Sequence, residues 1–426
     1  MIINLFIMQK NFPYINNTMF AEQVDLTELA NKVKTPFYCY STQAIEENYL
    51  SYKSAFKLQD ALICYAVKAN SNQAVLTTLA NLGCGADVVS EGEIRRAIAA
   101  GIPANKIVYS GVAKSRVEVE YALGLDIFQF NVESEPELEL ISEVATQLGK
   151  VASISFRINP DVCANTHEKI STGKAENKFG VPISKARLAY KTAASLPGIK
   201  VQGVDVHIGS QLTELEPFKL AFEKIATLVE ELRIDGHDIH VIDIGGGLGI
   251  TYDNEEIPSV TDYAAIADKT LSHLHCKIVL EPGRSLLGNS GVLVSSVVYV
   301  KQGEERDFLI IDAGMNDLIR PSMYDAYHKV LAVSPPKNDV GKVYDIVGPV
   351  CETGDTFAKG RHLSSLKSGD LVAIMSCGAY GAVMSSTYNT RMLIPEVIVK
   401  EDEFALIRKR PSYEEVISSD IVPDWL

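Results

Sequence analysis

The sequence contains no run of basic residues. Its 40 lysines and arginines are outnumbered by 54 aspartates and glutamates, giving a formal net charge of −14. Such a field repels a nucleic-acid backbone and an anionic membrane surface, so the expected partner is a small molecule. No two cysteines stand in the CxxC spacing of a zinc site or redox pair. The seven (Cys39, Cys64, Cys84, Cys163, Cys276, Cys351 and Cys377) are scattered and odd in number, which points to a reducing cytosol and to no metal. Internal repeats and low-complexity tracts are also missing. The amino-terminal MIINLFIM is apolar, but it has no basic residue ahead of it, no clear cleavage site, and too few residues to span a bilayer, so it is not read as a signal peptide. Residues 1–20 are expected to be a loose extension, with Met8 or Met19 as possible starts. What remains is an ordinary globular composition, 46% apolar and 22% charged over 426 residues, long enough for at least two cores.

Between residues 61 and 281, eight apolar runs alternate with amphipathic stretches: ALICYAV, ADVV, KIVYS, IFQF, VASISFRI, VQGVDVHI, HVIDIG and KIVLE. Ser90 with Glu93, and Ser134 with Glu137, are spaced as capping boxes for two of the intervening helices, and Gly101 is placed to stop the first. Strands that are apolar throughout imply a parallel sheet covered by helices, and eight such units match a closed (β/α)8 TIM barrel better than an open sheet. After about residue 285 the pattern changes to β-branched runs separated by Gly, Pro, Asn and Asp turns, a mostly-β domain. TPFYCYS, residues 35–41, is also strand-like. The expected division is an amino-terminal segment 1–35 packing with the β domain, a barrel over 36–285, and a carboxy-terminal β domain over 286–426.

In a barrel, chemistry gathers at the carboxyl ends of the strands. The residues there are Lys68, Asp87 and Ser90, Arg157 and Asn159, His207, Gly245-Gly246-Gly247, and Glu281. A buried lysine amine is nucleophilic enough to take up an aldehyde, although a strand-end lysine can also simply reach solvent. Three glycines bring bare backbone amides near an anion, or make a tight turn. His207 offers a flat ring or is a satisfied core histidine, and Glu281 offers a carboxylate or pairs with Arg284. Together these groups describe pyridoxal 5′-phosphate (PLP): an amine for its aldehyde, amides for its phosphate, a ring to stack on it and a carboxylate for its ring nitrogen.

From about residue 24 to 420 the chain also resembles the barrel-type PLP-dependent amino-acid decarboxylases. YAVKAN resembles their cofactor-lysine motif, HIGSQ the ring-stacking motif, DIGGGLG the phosphate loop and EPGR the strand-eight motif. THEKISTGKAENKFG resembles the active-site loop, AGMNDLIRPSMYDAYH the substrate stretch, GPVCETGDTFA the catalytic cysteine segment and CGAYGAVMSSTYN the last cofactor contact. Glu168 stands where the family's loop has proline, and the first 20 residues have no counterpart. The resemblance implies a PLP-binding TIM barrel plus a Greek-key, β-barrel-like domain, with Lys68 and Cys351 catalytic. Cofactor binding would fall to Lys68, Asp87, His207, Ser210, Gly246, Gly247, Glu281, Gly283, Arg284 and Tyr380. The substrate would be gripped by Arg284, Arg320, Tyr324, Glu352 and Tyr380. A distal arginine fork suits an amino acid with a carboxylate at both ends, so the implied reaction is decarboxylation of meso-diaminopimelate to L-lysine in a cytoplasmic homodimer with shared sites. Competing readings are a decarboxylase for ornithine, arginine or carboxynorspermidine, and a PLP-binding barrel without catalysis.

Overall fold

Eight strands form a closed parallel ring in the order of the chain: β1 Leu62–Ala66, β2 Gly85–Val88, β3 Ile107–Tyr109, β4 Gln129–Val132, β5 Ala152–Asn159, β6 Ile199–Asp205, β7 Val241–Asp243 and β8 Lys277–Leu280. In this computed structural model, which describes residues 10–59, 61–162, 178–337 and 339–426, the ring closes where β8 meets β1 at Val279↔Leu62. The eight apolar runs of the sequence are these eight strands. Burial on both faces explains their composition: every residue of β1 to β4 is inaccessible or nearly so. Helices on the outside bury one stripe each, as Glu216–Ile234 does with Phe218, Phe222, Ile225, Val229 and Leu232.

Local capping chemistry sets several helix starts. Ser90 Oγ accepts from the Glu93 N–H at 3.2 Å, but the Glu93 carboxylate accepts from Val89 N–H instead of returning to Ser90, so only half of the expected box forms. The box at Ser134 does not form at all. Lys114 Nζ lies 2.6 Å from Glu137 Oε1, and Glu133 N–H donates to Oε2; a buried ammonium outbids a cap for the same carboxylate. Complete boxes occur at Ser115/Glu118 and Ser259/Asp262. Gly101, at φ +90°, ends the Glu91–Ala99 helix as expected.

The barrel belongs to one compact unit, Ile45–Ile250 with Glu255–Leu286; the other comprises the described residues through Ala44, Thr251–Asn254 and Leu287–Leu426. The second unit is built on a mixed sheet in the order Thr356–Leu363, Lys342–Val347, Asp307–Ile311, Gly291–Lys301, Phe37–Ser41, Glu396–Lys400, Glu403–Arg408, with Leu371–Ile374 pairing with both Gly291–Lys301 and Val330–Ala332. The strand Phe37–Ser41 therefore lies outside the barrel, although the expected boundary at residue 36 put it inside. It is paired on both edges, antiparallel to Gly291–Val294 and parallel to Glu396–Val399, and all five of its residues are buried. Residues 10–20 are not a loose extension: Phe12 and Met19 are buried in the core of this unit with Leu26, Leu29, Val292, Val294 and Val397. Residues 1–9 lie outside the described residues. Among the described residues no helix is long and apolar enough to cross a membrane.

Candidate active site

At the carboxyl end of β1 the chain makes a short 3-10 turn over Val67–Ala69, and Lys68 points from it to Asp87 on β2, Nζ to Oδ2 2.7 Å. Asp87 is fully buried, whereas the Lys68 side chain is 39% exposed. The lysine side chain thus reaches solvent and is not the desolvated amine the sequence suggested. The Asp87 Oδ1 atom is buried with no hydrogen-bond partner among the described residues, an arrangement that costs about 1–3 kcal/mol unless a donor arrives.

Deeper in the barrel Glu281, directly after β8, meets two acids the sequence reading did not single out, Asp205 and Asp243. One oxygen from each of the three lies within 4.8 Å of the other two. Burial first, and then repulsion from Asp243 and Asp87, holds the Glu281 carboxyl well above its usual range, against the pull of Lys68 and Arg157. Burial and Asp205 raise Asp243 in the same way, and burial and Glu281 raise Asp205. Asn131 on β4 donates from Nδ2 to Glu281 Oε1 at 3.1 Å and to Asp243 Oδ2 at 3.3 Å, and Ser110 Oγ donates to Glu281 Oε1 at 3.2 Å. An amide donor bridging two of the acids stands where a metal ion would need their lone pairs. Asn131 and Ser110 were missed as site residues; the signal was the pair of amides, Gln129 and Asn131, alternating with the apolar residues of FQFNV.

His207 follows β6, and its Nδ1 accepts from the Gly246 N–H at 3.2 Å, which leaves the proton of the neutral ring on Nε2. Burial, Arg157 and Lys68 all disfavour the imidazolium and hold its pKa well below the ordinary histidine range. The same bond engages the Gly246 amide that the sequence assigned to a phosphate. Gly246 is required sterically, since a Cβ there would sit 2.2 Å from the Glu281 carbonyl oxygen, and one on Gly247 (φ +111°) 2.4 Å from that of Gly209. Beside this loop Arg284 donates to Ser210 Oγ from Nη2 at 3.2 Å, and the Gly283 carbonyl accepts from Leu286 N–H. Arg157 is tied to Glu133 at 3.0 Å.

Cys351, Glu352, Arg320, Tyr324 and Tyr380 all belong to the second unit. Arg320 is buried, donating from Nη1 to Tyr252 Oη at 2.6 Å, with His328 Nε2 at 3.4 Å. His328 Nδ1 lies 2.9 Å from the Met375 carbonyl, so it must carry the ring proton, and Nε2 turns its lone pair to the guanidinium. Tyr324 closes the short helix Arg320–Tyr324 and is half-buried. Cys351 and Glu352 are exposed; the Cys351 N–H donates to Asn389 Oδ1 at 2.8 Å, and Tyr388 Oη donates to Glu352 Oε2 at 3.1 Å. Tyr380 is half-buried at φ +56°. Most of THEKISTGKAENKFG, with Glu168, and also Cys163 lie outside the described residues.

Residues 42–288 match the family described as "Pyridoxal-dependent decarboxylase, pyridoxal binding domain". The chain is 48% identical over 420 residues to the diaminopimelate decarboxylase of Zymomonas mobilis, covering 97% of this chain and 99% of that one. The chain belongs to the diaminopimelate decarboxylase family. Solved relatives in that family include the M. jannaschii enzyme in complex with L-lysine (TM-score 0.94, 39% identity, 98% of this chain and 99% of that one). The Helicobacter pylori diaminopimelate decarboxylase, also complexed with L-lysine, aligns at TM-score 0.89 and 45% identity over 92% of this chain and 98% of that one. The barrel residues fit the family's cofactor. Its cationic ring nitrogen would balance the carboxyl cluster of Asp205, Asp243 and Glu281, the neutral imidazole suits a flat aromatic face, and the bare backbone at Gly246 and Gly247 leaves no side chain in the way.

Proposed function

We propose that this chain decarboxylates meso-2,6-diaminopimelate at its D-centre, giving L-lysine and CO2. The observation that carries the substrate assignment is Arg320, a buried guanidinium held in place by Tyr252 and His328 with no carboxylate ion pair among the described residues. A fork so oriented suits a second carboxylate, which diaminopimelate has and ornithine and arginine lack.

PLP, when bound, supplies an electron sink for the pair left on Cα as CO2 departs. Lys68 would provide the amine for the cofactor aldehyde, and its side chain, reached by solvent, would be open to an incoming substrate amine. Glu281 would keep a proton on the ring nitrogen, and His207 would offer its flat face to the ring. Ser210, Gly246, Gly247, Gly283, Arg284 and Tyr380 would hold the phosphate, with Asp87 beside Lys68. Arg284, Tyr324 and Tyr380 assist Arg320 in binding the substrate, and Glu352 takes the distal ammonium. The Cys351 thiol would return a proton to Cα.

Cys351 and Glu352 are exposed on their own unit, which supports a homodimer in which each chain lends these two residues to its partner's site. The six described cysteines are free, in keeping with a cytoplasmic protein. The test is CO2 release by the purified PLP-loaded protein from meso-diaminopimelate, L-ornithine, L-arginine and carboxynorspermidine in parallel. Turnover of meso-diaminopimelate alone is expected; turnover of a substrate without the second carboxylate would overturn the assignment built on Arg320.

A further inference from the structure

The barrel interior below Glu281 is threaded by side-chain amides. At the amino-terminal end of β4, Gln202 Nε2 donates to the Phe128 carbonyl at 3.3 Å and to Gln129 Oε1 at 3.2 Å, and Ser155 Oγ donates to the same Oε1 at 3.2 Å. Gln129 Nε2 then donates to Asn131 Oδ1 at 2.8 Å, and Asn131 Nδ2 donates to Glu281, as described. Gln129, Asn131 and Ser155 are fully buried. Gln129 and Asn131 are two apart on one strand and so face the same side of it.

The polarity of this ladder is not free. A backbone carbonyl can only accept, so the end of Gln202 that meets Phe128 is its nitrogen. That nitrogen also meets Gln129, which must answer with its oxygen and is left with its own nitrogen for Asn131. Asn131 in turn must present oxygen downward and nitrogen upward. Reversing any one amide would set two like groups against each other in a dry interior, at about 1–3 kcal/mol for each buried group left unpaired.

We propose that Asn131 is a positioning residue for Glu281: the ladder anchored on the Phe128 carbonyl holds the Asn131 amide as an obligatory donor to Oε1, leaving Oε2 to face the cofactor ring nitrogen. Oε1 receives two donors, Asn131 and Ser110, while no hydrogen bond to Oε2 is formed among the described residues. Donors to a carboxylate favour its ionised form. They act here against burial, Asp243 and Asp87, which oppose a charge on Glu281, and alongside Lys68 and Arg157, which favour it. An ionised Glu281 is what keeps the ring nitrogen protonated, so the ladder acts on the reaction through that proton. This inference rests on the assignment of PLP to the barrel, and it goes further by naming residues remote from the cofactor that tune it.

The test uses the full-length protein loaded with PLP labelled with 15N at the ring nitrogen, titrated by NMR across pH in wild type, Glu281→Gln, Asn131→Leu and Gln129→Leu. Wild type is expected to keep the nitrogen protonated over the widest range, and Glu281→Gln to lose that proton. Asn131→Leu should lower the deprotonation midpoint by about one pH unit. Its kcat should fall about tenfold to a hundredfold, as for other outer-shell partners, with KM for meso-diaminopimelate changed by less than about twofold because no substrate contact is lost. Gln129→Leu, which touches nothing near the cofactor, should move the midpoint in the same direction by less, and it carries the test if Asn131→Leu does not fold. If Glu281→Gln loses the ring proton while Asn131→Leu and Gln129→Leu titrate as wild type, the positioning role is wrong and the PLP assignment stands. If Glu281→Gln also titrates as wild type, both are wrong.

Discussion

Lys68 Nζ and Asp87 Oδ2 are 2.7 Å apart, and the second oxygen of that carboxylate is buried without a hydrogen-bond partner among the described residues. The pair holds the amine at the mouth of the barrel in one place, yet it leaves an unsatisfied acceptor beside it. Lys68→Ala should therefore do two things. CO2 release should fall on the order of 10⁴-fold or more, as when a covalent residue is removed elsewhere, and the visible absorption of bound PLP should disappear. Retention of either the absorption band or the turnover would show that another amine holds the cofactor.

The acid cluster makes the cofactor-free protein sensitive to alkali. Asp205, Asp243 and Glu281 have carboxyl pKa values raised in the folded state, so the folded chain binds more protons than the unfolded one once pH exceeds about 4, the ordinary carboxyl range. Stability from these groups is fully present below that range and is lost as pH rises toward their folded values. The melting temperature of the PLP-free protein should decline from mildly acidic to neutral pH, and Asp243→Asn should flatten the decline. Differential scanning calorimetry across pH would show an unchanged slope in the variant if the cluster is ionised without penalty.

Arg320 is expected to separate binding from chemistry. Arg320→Met removes a charge-assisted fork worth about 1.5–3 kcal/mol, so KM for meso-diaminopimelate should rise roughly tenfold to a hundredfold. Because the distal carboxylate is remote from the bond that breaks, kcat should change far less. Tyr252→Phe, which deletes the 2.6 Å bond to Nη1, should raise KM by about fivefold, the worth of one ordinary hydrogen bond. Steady-state kinetics in which kcat falls while KM holds would place Arg320 elsewhere in the reaction.

Sharing of sites between two chains is checked by mixing inactive variants. Lys68→Ala chains and Cys351→Ala chains, each inactive alone, should recover activity after co-refolding, since one site of each mixed dimer then has both residues intact. Absence of recovery in mixed dimers verified by mass would confine Cys351 to its own chain's site.

Much of this architecture could be read in advance. The eight strands are short apolar runs because each is covered on both faces, and that covering leaves its mark in local composition. Strand ends are local as well, which is why Lys68, Asp87, His207, the three glycines and Glu281 could be picked out. Cap preferences were less secure: Ser134 lost its glutamate to Lys114, a residue twenty positions away, because burying that ammonium without a counter-charge would cost more than an uncapped helix end. The strand Phe37–Ser41 was misplaced for a similar reason, since its partners lie some 250 and 360 residues downstream and nothing in the five residues FYCYS says which sheet will take them.

Residue types at the strand ends, and hence the cofactor chemistry, follow from the order of amino acids along the chain. The meeting of Asn131, Asp243 and Glu281 does not. These residues come from β4, β7 and the end of β8, and their spacing of 3.1 and 3.3 Å exists because a closed parallel ring brings inward-facing side chains from distant strands into one dry volume. Desolvation there raises the carboxyl pKa values and fixes the direction of the amide ladder. Both are properties of a dielectric environment that no segment of the chain possesses before the barrel closes.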